Sequence, residues 1–244
     1  MTELPLCRFL PWDTEFFGVR IGRVEPHRLT PASAAEILAW CRTNAIDLLY
    51  FLADFDDPDT VRLAEENRFH LVDLRVTLDR KLDTPVSSPS THSIRTARQD
   101  DLPALRAIAS AAFRQSRFFF DQRISDERAG DLYAIWIEKR VHEPDSQVFV
   151  ADWNGEAAGF ITCLLDGPHG EIDLFGVGEV ARGQGLGTAL VEHALRWFAA
   201  GGAGRVSVVT QGRNIAAQRL YQRCGFATAA LQLWYHRWFS ADVS

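Results

Sequence analysis

The chain has 244 residues, 47% of them hydrophobic and 24% charged, which is ample apolar material for one large core or two modest ones and excludes a disordered chain. A net charge of −6 excludes a protein that wraps nucleic acid, because that affinity comes from a surplus of Lys and Arg. Residues 1–13 lack the basic start and apolar core of a leader. No later segment approaches the roughly 18 apolar residues of a membrane span, so a soluble cytoplasmic protein without a membrane partner is expected. Cys7, Cys41, Cys163 and Cys224 are far apart and follow no C-x-x-C or Cys/His ligand spacing; reduced, mostly buried thiols and no metal are expected.

In chain order, 15–25 (EFFGVRIGRVE) reads as a strand, and 31–44 (PASAAEILAWCRTN) as an N-capped amphipathic helix. Residues 46–54 (IDLLYFLAD) form a nearly continuous apolar run, the pattern of a strand buried on both faces. A second helix over 58–67 and an alternating strand over 69–79 complete a small β-α-β-α-β unit. The Ser, Thr and Pro-rich stretch that follows reads as a linker at 83–92, dividing an N-terminal domain, 1–82, from a larger one, 93–244.

The second part opens with a short strand at 93–97 and a helix over 100–113, where Asp100 can cap and Pro103 lies in the first turn. The basic and aromatic stretch 114–125 precedes a longer helix over 126–142. Strands at 147–153 and 157–166 flank Asn154-Gly155, a strong hairpin signal. A strand over 171–177, a glycine loop, a helix over 186–199, a strand over 204–211, a helix over 214–224 and a strand over 226–238 finish the chain. The ends of the two parts, 64–82 and 220–239, share a layout of helix, Phe and strand, which suggests a partial internal duplication; residues 58–70 have no glycine loop.

The glycine loop, 182-RGQGLGT-188, allows three readings. A P-loop requires G-x-x-x-x-G-K-[ST], and no Lys follows these glycines. Gly176, Gly178 and Ala181 spell a dinucleotide fingerprint, but its helix would run through Gly183 and Gly185, where glycine is costly, and no acidic residue follows at the required distance. The third reading starts the helix at Leu186, which puts Leu186, Ala189, Leu190, Ala194, Trp197 and Phe198 on one face. Glycines then let backbone N–H groups converge at a helix N-terminus, and a pyrophosphate is held with little help from side chains.

Downstream, Asn214 can cap a helix on which Asn214, Ala217 and Tyr221 lie along one stripe, and Gly225 ends it. The pair of motifs, Arg182-x-x-Gly185-x-Gly187 and Asn214-x-x-Ala217-x-x-Leu220-Tyr221-x-x-x-Gly225-Phe226, closely resembles the GNAT N-acetyltransferases over roughly residues 93–239. Glu179 departs from the Pro frequent there. Residues 11–19, 109–118 and 132–141 are further similar to the TDP-fucosamine acetyltransferase group, which acetylates the 4-amino group of a nucleotide-linked 4-amino-4,6-dideoxyhexose for surface polysaccharide synthesis.

The resemblance implies an α/β (α+β type) GNAT fold: a mixed, mostly antiparallel central sheet with splayed central strands, plus the smaller N-terminal domain, itself possibly a degenerate half of the same kind. It implies acetyl-CoA as cosubstrate, one per chain, held by Phe175, Val177, Arg182, Gly183, Gln184, Gly185, Leu186, Gly187, Thr188, Asn214 and Ala217. The backbone N–H of Val177 or Gly178 would serve the thioester oxygen. Tyr221 is the candidate catalytic acid, since a phenol with a reference pKa of about 10 keeps its proton at neutral pH and can donate to a thiolate. Glu171 and Asp173 could accept the amine's proton, though bulk water could do so as well.

For the acceptor, Arg114, Arg117 and Phe118 are the candidates, because guanidinium forks suit a nucleotide diphosphate and rings suit a base or sugar face. Nearby acidic residues make surface ion pairing the competing explanation. The function expected is N-acetylation of a small nucleotide-linked amino sugar by direct attack of the amine on the thioester. Its rivals are the same chemistry on a protein N-terminus, lysine, aminoglycoside or other small amine, and a non-catalytic acyl-CoA-binding module. The N-terminal domain could shape the acceptor pocket or supply the surface of a homodimer.

Overall fold

The computed structural model describes residues 5–83 and 92–239, so most of the expected linker, 84–91, lies outside the described residues. Strand β1 (Cys7–Phe9) leads into helix α1 (Pro11–Phe17), where the alternation from residue 15 predicts a strand. Pro11 pre-sets the first helical turn, Trp12 and Phe16 stack one turn apart (5.2 Å, 4°), and Gly18, in the left-handed region at φ 71°, ends the helix. Only β2 (Ile21–Val24) remains extended. Helix α2 (Pro31–Thr43) is capped by Thr30, whose hydroxyl accepts from the Ser33 N–H at 3.1 Å while the Ser33 hydroxyl accepts from the Thr30 N–H at 2.9 Å. Strand β3 (Leu48–Asp54) is buried along all but its last residue, as its apolar run predicts. Helix α3 (Pro58–Glu66) and strand β4 (His70–Lys81) follow.

The chain forms two compact units, one of the described residues up to Arg75 with those from Leu231 onward, the other Val76–Ala230. The last strand, β10 (Ala227–Trp238), therefore groups in large part with the N-terminal residues. The cause is pairing: β10 runs antiparallel to β3 from Gln232↔Asp54 to Trp238↔Leu48, and β3 is parallel to β2, which is antiparallel to β1. Ile37, Phe51, Phe69 and Tyr235 fill this unit's core.

In the second unit β5 (Ile94–Thr96) precedes helix α4 (Leu102–Ala112), the four-residue helix α5 (Arg117–Phe120) and the long helix α6 (Asp126–His142). Strands β6 (Ser146–Trp153), β7 (Glu156–Asp166) and β8 (His169–Val177) form an antiparallel meander, and β6 also pairs antiparallel with β5. Asn154 and Gly155, both at positive φ (55° and 87°), make the β6–β7 turn their sequence predicts. Helix α7 (Leu186–Ala200), strand β9 (Arg205–Gln211) and helix α8 (Ile215–Arg223) complete the unit, with β9 parallel to β8. The sheets are thus mixed and mostly antiparallel. Among the described residues no helix is long and apolar enough to cross a membrane, and all four cysteines are buried and unpaired.

The sequence suggests Asp100 as the cap of α4; Asp101 stands at that position, and its side chain bonds none of the helix amides. The Asp101 carboxylate accepts both guanidinium nitrogens of Arg95 (2.7 and 2.8 Å) and the Arg98 N–H (2.7 Å). Hydrogen bonding to Arg95 lowers its pKa against the opposing effect of burial. A carboxyl titrating lower folded than unfolded contributes stability that is complete above the ordinary carboxylate range and lost as pH falls through it. Asp101→Asn should therefore cost about 2–4 kcal/mol at pH 7, and the difference from wild type in urea unfolding should shrink below about pH 4. A pH-independent difference would show that the charge is not the source.

Two irregularities open the unit's centre. The β8–β9 ladder runs from His169↔Arg205 to Ile172↔Val208 and ends there, although β8 continues to Val177 and β9 to Gln211. At the same level the β7–β8 register shifts between Ile161 and Cys163, where the Thr162 hydroxyl takes the Leu174 N–H at 2.7 Å in place of a main-chain partner. A bulge bends its strand. The two strands part beyond Ile172 and Val208, a splaying of the kind the resemblance implies.

Candidate active site

The cleft that begins at this parting has a volume of about 550 Å³. Phe175, Gly176 and Val177 of β8 line it, with the loop and first turn of α7 on one side and Asn214, Ala217, Leu220 and Arg223 of the α8 segment on another. Ala111, Ala112, Arg114 and Gln115 close it from the end of α4. Its lining contains Arg114, Arg182 and Arg223 and no Asp or Glu, in a chain whose net charge is −6. This local cationic character suits an anionic ligand.

The loop's construction follows from its glycines. Gly183 and Gly185 sit at φ 78° and 81°, a conformation that side chains with a Cβ rarely adopt, and together they reverse the chain into α7. The first helical bond is Ala189 N–H to Gly185 C=O (3.1 Å), so the amides of Leu186, Gly187 and Thr188 precede it and have no partner within the helix. At Gly187 a Cβ would stand 3.3 Å from both Leu220 and Phe175, so glycine there lets the α7 backbone approach α8 and β8 closely.

Val177 supplies a donor to the same cleft. The Gly178 N–H is bonded to the Ala158 C=O at 2.8 Å, which makes Gly178 and Ala158 a hydrogen-bonded antiparallel pair. Gly159 and Val177 are then the alternate pair, whose main-chain groups face away from each other. The Val177 N–H thus points to the edge that β9 has left, while its C=O accepts from the Arg182 Nε at 3.3 Å. Of the two amides the sequence leaves open, Gly178 is already committed and Val177 is not directed at β7.

Asn214 caps α8 as expected, accepting the Ala217 N–H at 3.1 Å. Tyr221 is not among the cleft-lining residues. It is 3% exposed behind Phe175, edge-on to that ring (6.1 Å, 62°) and to Phe226 (5.7 Å, 61°). Burial, with Cys224 adding to it, pushes its phenol above the ordinary range, so the hydroxyl keeps its proton at neutral pH.

Gln184 also lies off the cleft lining; its C=O accepts a hydrogen bond from His92 Nε2 at 2.7 Å. The His92 ring stacks on Trp153 (6.4 Å, 21°), and His92 Cε1 stands 3.4 Å from where a Cβ on Gly185 would be. No local pattern marks His92 as a loop partner, since it lies 92 residues from Gln184. His92→Ala should raise the dissociation constant for CoA about three- to tenfold by calorimetry and leave kcat nearly unchanged, the loss of one hydrogen bond to the loop. A kcat effect with unaltered CoA affinity would contradict that role.

Arg114 lines the cleft, with its guanidinium 4.8 Å from the Phe119 ring centroid and its Nη1 donating to Asp126 at 2.6 Å. Arg117 and Phe118 do not line it. Phe118 is buried against Tyr133, and the Arg117 guanidinium lies over the Phe118 ring (4.1 Å). Asp173 accepts from Arg140 Nε at 2.7 Å; burial raises its carboxyl pKa and the guanidinium opposes the shift. An acid held in that pair is poorly placed to act as a base. Glu171 is exposed on β8.

The model of the Acetyltransferase (GNAT) family matches residues 103–226, which span both the glycine loop and α8. The chain belongs to the GNAT acetyltransferase family. As a GNAT chain it is an enzyme, an acetyltransferase, and its similarity to one curated relative runs nearly end to end. That relative, the dTDP-fucosamine acetyltransferase of Escherichia coli, is 31% identical over 93% of this chain and 96% of its own length. The spore coat polysaccharide biosynthesis protein SpsD of Bacillus subtilis is 27% identical over 57% of this chain and 48% of its own. Among solved structures, a GCN5-related N-acetyltransferase from Sphaerobacter thermophilus superposes with a TM-score of 0.69 over 97% of this chain and 78% of that one, at 17% identity, a likeness of fold.

Proposed function

We propose that this GNAT enzyme transfers an acetyl group from acetyl-CoA to the 4-amino group of a dTDP-linked 4-amino-4,6-dideoxyhexose, as a soluble cytoplasmic enzyme of surface polysaccharide synthesis. The observation that carries the reading is the likeness to dTDP-fucosamine acetyltransferase over 93% of this chain and 96% of that one, which takes in the N-terminal residues as well as the family domain.

The cleft fits the cosubstrate on its own features. Two left-handed glycines, the first-turn amides of α7, which have no partner within the helix, and Arg182 make a cradle for a pyrophosphate with little side-chain bulk. Phe175, Ala217 and Leu220 give the apolar walls a pantetheine arm requires. When bound, acetyl-CoA supplies the acetyl group as an activated thioester.

The residues of this chain then divide the work. The Val177 N–H, aimed into the gap between β8 and β9, donates to the thioester oxygen as negative charge develops on it. Tyr221, protonated where the acceptor amine is neutral, hands that proton to the departing sulfur and regains one from water, since burial disfavours its phenolate. Asp173 stays in its pair with Arg140, and the amine's proton leaves to water.

Thiol release measured with dTDP-linked 4-amino sugars, free amino sugars, peptides and aminoglycosides tests the proposal. Preference for the nucleotide-linked sugar by kcat/KM is the expected result. A peptide or aminoglycoside turned over more efficiently would replace the acceptor.

A further inference from the structure

Three consecutive rings of α5 each carry a guanidinium, of which only Arg114 lines the cleft: Arg117 lies over Phe118 (4.1 Å), Arg114 over Phe119 (4.8 Å) and Arg213 over Phe120 (3.7 Å). The three pairs differ in where they stand. Phe118 is buried in the core, whereas Phe120 is 50% exposed and Arg213 is exposed. Arg114 lines the cleft, and Arg213 immediately precedes Asn214, which lines it too. Arg213 comes from the loop between β9 and α8, so its stack on Phe120 joins α5 to the strand that has parted from β8.

A guanidinium over a ring can keep N–H groups for phosphate oxygens, which it grips two at a time; at Arg114 one of them, on Nη1, is donated to Asp126 at 2.6 Å, so a phosphate would have to share or displace that carboxylate. Arg213 and Arg114 lie over neighbouring rings of α5. We propose that Arg213 and Arg114, seated on Phe120 and Phe119, form the subsite for the diphosphate of the nucleotide-linked acceptor. This assignment rests on the acceptor reading above. It adds Arg213, which sequence spacing does not join to Phe120 because they are 93 positions apart by number, and it leaves Arg117 and Phe118 as packing.

The subsite predicts a split in the kinetics. Arg213→Ala should raise KM for the dTDP-linked amino sugar about tenfold or more, with kcat and the acetyl-CoA KM changed less than about twofold, and Arg213→Lys should restore only part. Activity on the corresponding free amino sugar, which has no phosphate, should not change. Titration with dTDP alone, followed by calorimetry on the full chain, should show a matching loss of affinity, while CoA binds as in wild type. An unchanged KM and unchanged dTDP affinity in Arg213→Ala would overturn the subsite, as would a loss of CoA affinity equal to that for dTDP. If wild type leaves dTDP-linked amino sugars unacetylated, the acceptor reading falls by itself. The dTDP titration still decides the subsite: binding lost in Arg213→Ala upholds it, and binding absent from wild type or equal in both overturns it.

Discussion

Tyr221→Phe should lower kcat at least about tenfold while acetyl-CoA binds with near wild-type affinity, since a positioned general acid contributes on the order of 10²–10⁴ in rate. The substitution removes one oxygen and retains the ring. Contacts with Phe175 and Phe226, which hold residue 221 at 3% exposure, survive in Phe, so the fold should be little disturbed. Steady-state rates read beside CoA calorimetry and thermal unfolding separate chemistry from binding and from stability. The pH profile adds a second reading. Because burial holds the phenol protonated, the wild-type profile should show no loss of acid function between about pH 7 and 9, where acceptor amines lose their protons. Unchanged turnover in the Phe variant would remove Tyr221 from the mechanism and leave the departing sulfur to be protonated by solvent.

Gly185→Val should weaken CoA binding about a hundredfold and lower stability by about 1–2 kcal/mol. At φ 81° a β-branched residue is an outlier, and the first atom of its side chain would stand 3.4 Å from His92, which ties the neighbouring Gln184 carbonyl. Relief requires the loop to turn, which moves the amides that lead into α7. Gly183→Ala gives the contrast: φ is 78°, but nothing lies within 4 Å of the added carbon, so backbone strain acts alone and the loss should be smaller. Calorimetry on both variants, with circular dichroism to confirm the fold, checks the ordering. If Gly185→Val binds CoA as wild type does, the amide cradle is misassigned.

The parts of this molecule written in local chemistry were legible. The stripe from Leu186 to Phe198 fixes α7, the Asn214 cap and Gly225 bound α8, and Asn154-Gly155 sets the hairpin. Where two local signals compete the weaker can mislead: alternating apolar residues from 15 to 25 suggest a strand, yet Pro11 and Gly18 punctuate a helix, and Trp12 and Phe16 close it. Asp101, not Asp100, stands at the start of α4, and its carboxylate is taken by Arg95 and the Arg98 N–H instead of the helix amides. Other features have no local trace at all. His92 on Gln184, Arg213 on Phe120 and β10 against β3 join residues distant in the chain, and only the folded strands bring them together. Among the site residues, those that act through backbone geometry were readable from glycine spacing, while those that act through a tertiary partner, such as Asp173 with Arg140, were not.

The opening donor at Val177 is a main-chain group, aimed by the pairing of its neighbour Gly178 with Ala158. Nineteen of the twenty amino acids carry the same N–H, and only proline lacks it. The identity of residue 177 is therefore free to drift, and to adjust the cleft to a new acceptor, without touching the N–H that the proposed mechanism sets against the carbonyl. What must be inherited is the hydrogen-bond register between β7 and β8, a property of the strands as a pair that a comparison of single positions would overlook.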